Sequence, residues 1–277
     1  MVCMDDKKTG EMNIQEIHAV LIELFNELVK VCQKHNFALY LTGGSVLGAV
    51  RHNGFIPWDD DIDVALPRYD YKKLLEVAEK ELPSHLKLVW ISRACHYRLV
   101  DTRHRVKLND NYSKILSEKE YECVAIDIQP FDGVPTGVVG TIHCFRVMAF
   151  RALYKMCSPE RVIYDEKWRK KWEIWLIRMI KLFSFALSDE DYWRNKYLEA
   201  MQKYDYADCN VIADFVGKYK FNDVYPKKWW EPGLIVDFEN VKAMIPSEYD
   251  KYLSKIYGKY MEIPKENEKV IHLDSHK

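Results

Sequence analysis

Apolar residues at Ile14, Ile17, Leu21, Leu24, Phe25, Leu28 and Cys32 recur at three- and four-residue spacing, the period of a helix with one buried face. The spacing predicts a helix from Ile14 to His35. A short apolar run, Phe37 to Leu41, predicts a strand leading into Gly43-Gly44. Ser45 to His52 reads as one or two helical turns starting at a serine N-cap, and Asn53-Gly54 as a turn. Ile62 to Leu66 predicts a second strand. Pro67 then opens a charged helix from about Tyr69 to Glu81, and Pro83 closes it.

Leu86 to Ser92 and Tyr97 to Thr102 predict paired strands, and Arg103 to Glu122 is polar and irregular. Cys123 to Ile128 predicts an apolar strand with one acid, Asp127, inside it. Pro130 to Gly140 is turn-rich. Thr141 to Asp208 has a helical pattern with many aromatics and bases. Beyond Asn210 come short apolar runs, Trp229-Trp230, and a helix at Pro246 to Tyr260. There is no internal repeat. A boundary near residue 140 separates a core, 1–140, from a helical region and C-terminal segment, 141–277, expected to pack back on it. The class implied is α+β, a mixed sheet flanked by helices, with a helical insertion or extension in the second half.

Composition narrows the function. The chain has 277 residues, is 48% hydrophobic and carries a formal charge of −1. That supports a substantial core and excludes the global basic field of a nucleic-acid binder. The seven cysteines are odd in number and form no C-x-x-C pair, so buried reduced thiols in a cytoplasmic protein are expected rather than a zinc site or a disulfide framework. Met1 to Asn13 lacks the apolar core of a signal peptide. The most apolar stretch, Trp172 to Leu187, is broken by Glu173, Arg178 and Lys181. Trp168 to Leu187 reads either as a packed core helix with a basic end or as an interfacial helix at the inner face of the membrane.

The chemistry concentrates in residues 43–63. In a strand, residues two apart share a face, so Asp59, Asp61 and Asp63 point one way and Asp60, Ile62 and Val64 the other. Adjacent carboxylates repel unless a cation neutralises them. Hard oxygen ligands suit Mg²⁺ or Mn²⁺. The acids interleave with Trp58, Ile62 and Val64, which a solvated acidic loop rarely does. Gly43 and Gly44 let a backbone approach a phosphate closely, amides of the next helix would face the anion, and Ser45 could add a hydroxyl. Asp127 reads either as a salt-bridge partner of an arginine or as a third carboxylate reaching the same metal. Arg51, His52 and Arg98 are the nearby cationic candidates for gripping phosphate.

Together these residues resemble the LicD family of phosphotransferases within the nucleotidyltransferase superfamily. The superfamily pattern corresponds to Gly44-Ser45, Asp61-Ile62-Asp63 and Asp127. The narrower LicD pattern runs from Gly44 to Arg68, continues at Ile126 to Pro135, and returns at Tyr252-Leu253, Tyr257 to Met261 and Pro264. The resemblance implies a nucleotidyltransferase-like sheet and transfer of a phospho-alcohol, most often phosphocholine, from a CDP-activated donor such as CDP-choline to a sugar or glycolipid acceptor, with CMP released. It implies Asp61, Asp63 and Asp127 as metal ligands, Asp127 also as an aid to deprotonation, and Asp59 as an accessory acid. Gly43, Gly44, Ser45, Arg51, His52 and Arg98 would bind the donor. Relatives that decorate animal glycans transfer ribitol phosphate. A nucleotidyltransferase that leaves the nucleotide on its product, and a non-catalytic glycan- or nucleotide-binding relative, are the alternatives.

Overall fold

The computed structural model describes residues 12–92, 94–106, 123–157 and 189–265. Helix α1 (Ile14–His35) starts at a reciprocal cap. Asn13 Oδ1 accepts from Glu16 N–H at 3.0 Å, and Glu16 Oε2 accepts from Asn13 N–H at 2.8 Å. It ends at Asn36, which takes φ 55°. Its stripe of Ile17, Leu21, Leu24, Phe25 and Leu28 is buried, and the helix packs on the sheet.

The chain continues through β1 (Tyr40–Leu41), α2 (Gly43–His52), β2 (Ile62–Pro67), α3 (Arg68–Glu81), β3 (Leu86–Ile91), β4 (His96–Arg105) and β5 (Cys123–Val134). After α4 (Gly137–Cys157) and α5 (Glu190–Met201) come β6 (Val211–Ala213), β7 (Val224–Pro226), β8 (Leu234–Phe238), β9 (Val241–Ile245) and α6 (Tyr249–Tyr257). The strands form a nine-stranded mixed sheet in the order β3-β4-β5-β2-β1-β9-β8, with β6 joined to β5 and β7 to β6. The pairs β2–β5 and β1–β9 are parallel. Because β9 lies beside β1, residues from the end of the chain extend the sheet that Tyr40 and Leu41 enter. A second apolar cluster around Val147, Tyr154, Tyr197 and Phe215 lies where α4 and α5 pack together. The described cysteines are unbridged, and Cys32, Cys95, Cys123, Cys144 and Cys209 are buried.

Two local expectations change. Helix α2 begins at Gly43 with Thr42 at the N-cap, not at Ser45. Ser45 is buried, and its hydroxyl accepts from Asp63 N–H at 3.0 Å, so it ties the helix to β2 instead of capping. Strand β5 continues through Pro130 to Val134, where a turn-rich stretch was expected. The reason is a change of partner on one edge. Pro130 stays in register with Leu66 of β2, but on the other edge the β4 ladder ends at Ile128 and the β6 ladder begins at Asp132, so on that edge Pro130 falls between ladders, where a missing N–H is tolerated. No helix among the described residues is long and apolar enough to cross a membrane. The stretch Trp168 to Leu187, with its two readings, lies outside the described residues.

Candidate active site

The register of two strands builds the site. Asp63 on β2 stands opposite Asp127 on β5. The approach to β2 carries Asp59 and Asp61. All four acids line one cleft of about 480 Å³, with Gly43 and Gly44 at its edge. Asp60 is buried and does not line the cleft, but residues 59–61 precede β2, so the strand alternation expected for them does not apply. One carboxylate oxygen from each of Asp59, Asp60 and Asp61 lies within 4.8 Å of the others. The acid loop is held from behind, where His18 Nε2 is 2.7 Å from Asp59 O and the His18 ring stacks on Phe55 at 3.9 Å.

The glycines are there for the acids. A Cβ on Gly44 would lie 2.7 Å from Asp59 Oδ2, so the Asp59 carboxyl would have to move, and one on Gly43 would lie 3.3 Å from Asp63 Oδ2. Gly43 also takes φ +53°, a left-handed value that costs glycine nothing. Its N–H donates to Tyr252 Oη at 2.7 Å. The Gly43 amide and the Ser45 hydroxyl, both expected to cradle phosphate, are therefore engaged inside the protein in holding α2, β2 and α6 together.

Electrostatics pull the two central carboxyls in opposite directions. Burial, with Asp61, Asp127 and Asp59 close by, raises Asp63 well above the usual carboxylate range, and Arg98 only partly offsets this. Gln129 Nε2 donates to Asp63 Oδ1 at 3.3 Å. Burial also works against ionisation of Asp127, but Arg98 and His96 outweigh it and hold the group well below that range. Arg98 grips Asp127 in a fork, Nη2 to Oδ2 at 2.9 Å and Nε to Oδ1, and His96 Nε2 is 3.4 Å from Oδ1. The arginine-pair reading of Asp127 thus describes it, and the paired group also lines the cleft beside Asp63.

The other cationic candidates are placed elsewhere. Arg98 is engaged with Asp127 and is not part of the cleft lining. Arg51 donates through Nη1 to Tyr260 O at 2.8 Å and through Nε to His52 Nε2 at 2.9 Å. It straps the segment after α6 to α2 and does not line the cleft. Burial and the Arg51 charge lower His52, which favours the neutral ring that accepts this bond. The His52 ring meets Trp58 edge-on at 6.4 Å, and Trp58 does line the cleft.

The far wall was not anticipated. Tyr252 and Tyr257 from α6 line it, as do Asp214, Lys218, Tyr219 and Asp223 between β6 and β7. Asp214 does leave a trace in sequence. Like Asp127 it is a lone acid in an apolar run, Val211-Ile212-Ala213-Asp214-Phe215. Burial and the neighbouring Asp223 push Asp214 up to about 8.

Fold and site together define an α+β protein in which acids from two parallel strands meet in a cleft closed by the C-terminal helix. Residues 36–141 match the family described as "LicD/FKTN/FKRP, nucleotidyltransferase domain". Residues 36–141 thus carry a LicD-type nucleotidyltransferase domain. It is similar to the lipopolysaccharide cholinephosphotransferase LicD of Haemophilus influenzae, 26% identical over 276 residues that span 95% of this chain and 96% of that protein. It also resembles an uncharacterized protein of Rickettsia typhi, 29% identical over 43% of this chain and 39% of the relative. A protein of Rickettsia prowazekii, likewise uncharacterized, is 31% identical over 27% of this chain and 29% of its own length.

Proposed function

We propose that this protein is a phosphotransferase that moves phosphocholine from CDP-choline to a sugar hydroxyl of a surface glycan, such as a lipopolysaccharide, or of its lipid-linked precursor, releasing CMP. The observation that carries the reading is the meeting of Asp59, Asp61, Asp63 and Asp127 in one cleft. Similarity along nearly the whole length of a cholinephosphotransferase supports the choice of phosphocholine.

The acids fit a hard divalent cation, Mg²⁺ or Mn²⁺. Asp63 is raised by burial and by its anionic neighbours, so a cation beside them relieves a cost already present in the fold. Asp61 and Asp63 would hold it, with Asp59 adjoining and Asp127 on the next strand. Bound there, it would stabilise charge on the attacking and leaving oxygens, the main contribution available in phosphoryl transfer. The residues do the rest. Ser45 and Gln129 hold the Asp63 backbone and carboxylate in place. Asp127, kept ionised by Arg98 and His96, is a weak base and serves as a fixed negative charge. The acceptor proton therefore goes to another ionised carboxylate of the cleft, while the acceptor oxygen bonds to the phosphorus bearing choline and the anhydride oxygen leaves with CMP.

The test is mass spectrometry of the purified protein with CDP-choline, Mg²⁺ and a panel of sugar acceptors. CMP should accumulate only with metal, phosphocholine should appear on the acceptor, and both should vanish with EDTA or in Asp61→Asn. An acceptor carrying CMP instead would move the assignment to nucleotidyl transfer. Metal-independent CMP release that persists in Asp61→Asn would overturn the role of the acids.

A further inference from the structure

We propose that Lys218, presented by the loop between β6 and β7, grips the phosphates of the nucleotide donor from the wall opposite the acid cluster. This rests on the donor reading above and assigns a residue that reading leaves open. Among the described residues the cleft lining holds six carboxyls, Asp59, Asp61, Asp63, Asp127, Asp214 and Asp223, and one cationic residue, Lys218. The arginines that might have met a phosphate are committed elsewhere, Arg98 to Asp127 and Arg51 to backbone carbonyls beyond α6. Lys218 is exposed and has no ion-pair partner among the described residues. An exposed lysine at the lining of a cleft rich in carboxyls, in an ion pair with none of them, is available to an anion that enters the cleft.

The loop is built to hold that position. Asp214 Oδ1 accepts from Val216 N–H at 3.0 Å and Gly217 N–H at 2.9 Å, and Asp223 Oδ2 accepts from Tyr219 N–H at 2.6 Å. The amides on both sides of Lys218 are thus tied to buried carboxyls. Val216 O accepts from Arg151 Nη2 at 2.9 Å, and Asp214 N–H donates to Asp223 O at 2.9 Å. Gly217 has no alternative, since a Cβ there would lie 2.7 Å from Asp214 Oδ2 and 2.8 Å from Asp223 Oδ2. With Asp214 pushed up to about 8 by burial and by Asp223, the pair retains a proton at neutral pH. The loop therefore does not set two full charges against the lysine it carries. A pre-positioned point charge of this kind is a usual partner for phosphate, and it favours the leaving phosphate as negative charge develops there.

Calorimetric titration of the full chain with CDP in Mg²⁺, paired with CDP-choline kinetics, tests the assignment in wild type, Lys218→Met and Lys218→Arg. Lys218→Met should weaken CDP binding about tenfold or more, the scale of a lost charge-assisted hydrogen bond. It should raise KM for CDP-choline by a similar factor and leave KM for the acceptor and the melting temperature unchanged. Lys218→Arg should recover most of the CDP affinity. Wild-type CDP affinity in Lys218→Met would overturn the role of Lys218 and leave the donor reading standing. A wild-type protein that neither binds CDP nor turns over CDP-choline would overturn both.

Discussion

Asp63→Asn should abolish phosphocholine transfer and, in EDTA, raise the melting temperature of the protein. The two effects have one origin. Burial and the charges of Asp61, Asp127 and Asp59 raise the Asp63 pKa well above its ordinary value. The folded protein therefore holds this proton more tightly than the unfolded chain does. As pH rises past about 4, where an unfolded aspartate ionises, the unfolded state releases its proton first and the fold loses stability. An amide has no charge to bury beside three carboxylates, yet it can still meet Gln129, whose Nε2 lies 3.3 Å from Asp63 Oδ1. The gain in melting temperature should be larger at pH 8 than at pH 4. Activity should fall about a thousandfold, the scale seen when one electrostatic contact to a transition state is removed. Mg²⁺ should raise the melting temperature of wild type and do so much less in the variant. A variant that keeps a normal rate, or that melts lower than wild type in EDTA at pH 8, would refute the account of Asp63 as a carboxylate held in wait for a cation.

The largest loss of stability is expected for Arg68→Met. Arg68 opens α3, and its guanidinium donates to both oxygens of Asp132 on β5, Nε to Oδ1 at 2.7 Å and Nη2 to Oδ2 at 2.6 Å. Asp132 is 1% exposed, so removing the arginine strands a buried carboxylate. Breaking one side of such a pair costs about 3–5 kcal/mol. The cost should grow with pH. Burial already raises Asp132 above its ordinary value despite Arg68; without Arg68 the folded group keeps its proton to still higher pH, and the added penalty appears above the unfolded value of about 4. Urea unfolding at pH 5 and pH 8 should show the larger deficit at pH 8, and adding Asp132→Asn should recover much of it. Equal deficits at both pH values would mean that lost packing of Arg68, whose guanidinium lies 5.4 Å from the Tyr71 ring centre, outweighs the stranded charge.

Local patterns carried much of the architecture. The α1 stripe, the β3–β4 hairpin and the acid-bearing strand β2 were all readable, because each depends on residues near one another in sequence. Strand alternation reaches only Asp63, because Asp59 and Asp61 precede β2, and their place in the cleft is set by the loop. The run from Gly44 to Arg68 was specific enough to indicate the family. The errors came where a residue's partner is remote. Ser45 looked like a cap until Asp63 N–H claimed its hydroxyl. Arg51 looked free for phosphate until the carbonyl of Tyr260 met it. Pro130 looked like a turn until β5 proved to change partners around it.

By itself the sequence determined that the chain is α+β, that its carboxylates cluster beside a glycine turn, and which family its Gly44 to Arg68 run resembles. These follow from periodicity and from motif residues held on short stretches of chain. The tertiary structure alone decided which charges remain available. Arg98 is neutralised by Asp127, while the wall carrying Lys218, Tyr252 and Tyr257 is brought across from far along the chain. Charge pairing and cleft closure depend on distances in space between groups roughly 30 to 210 positions apart, and no local pattern encodes those distances.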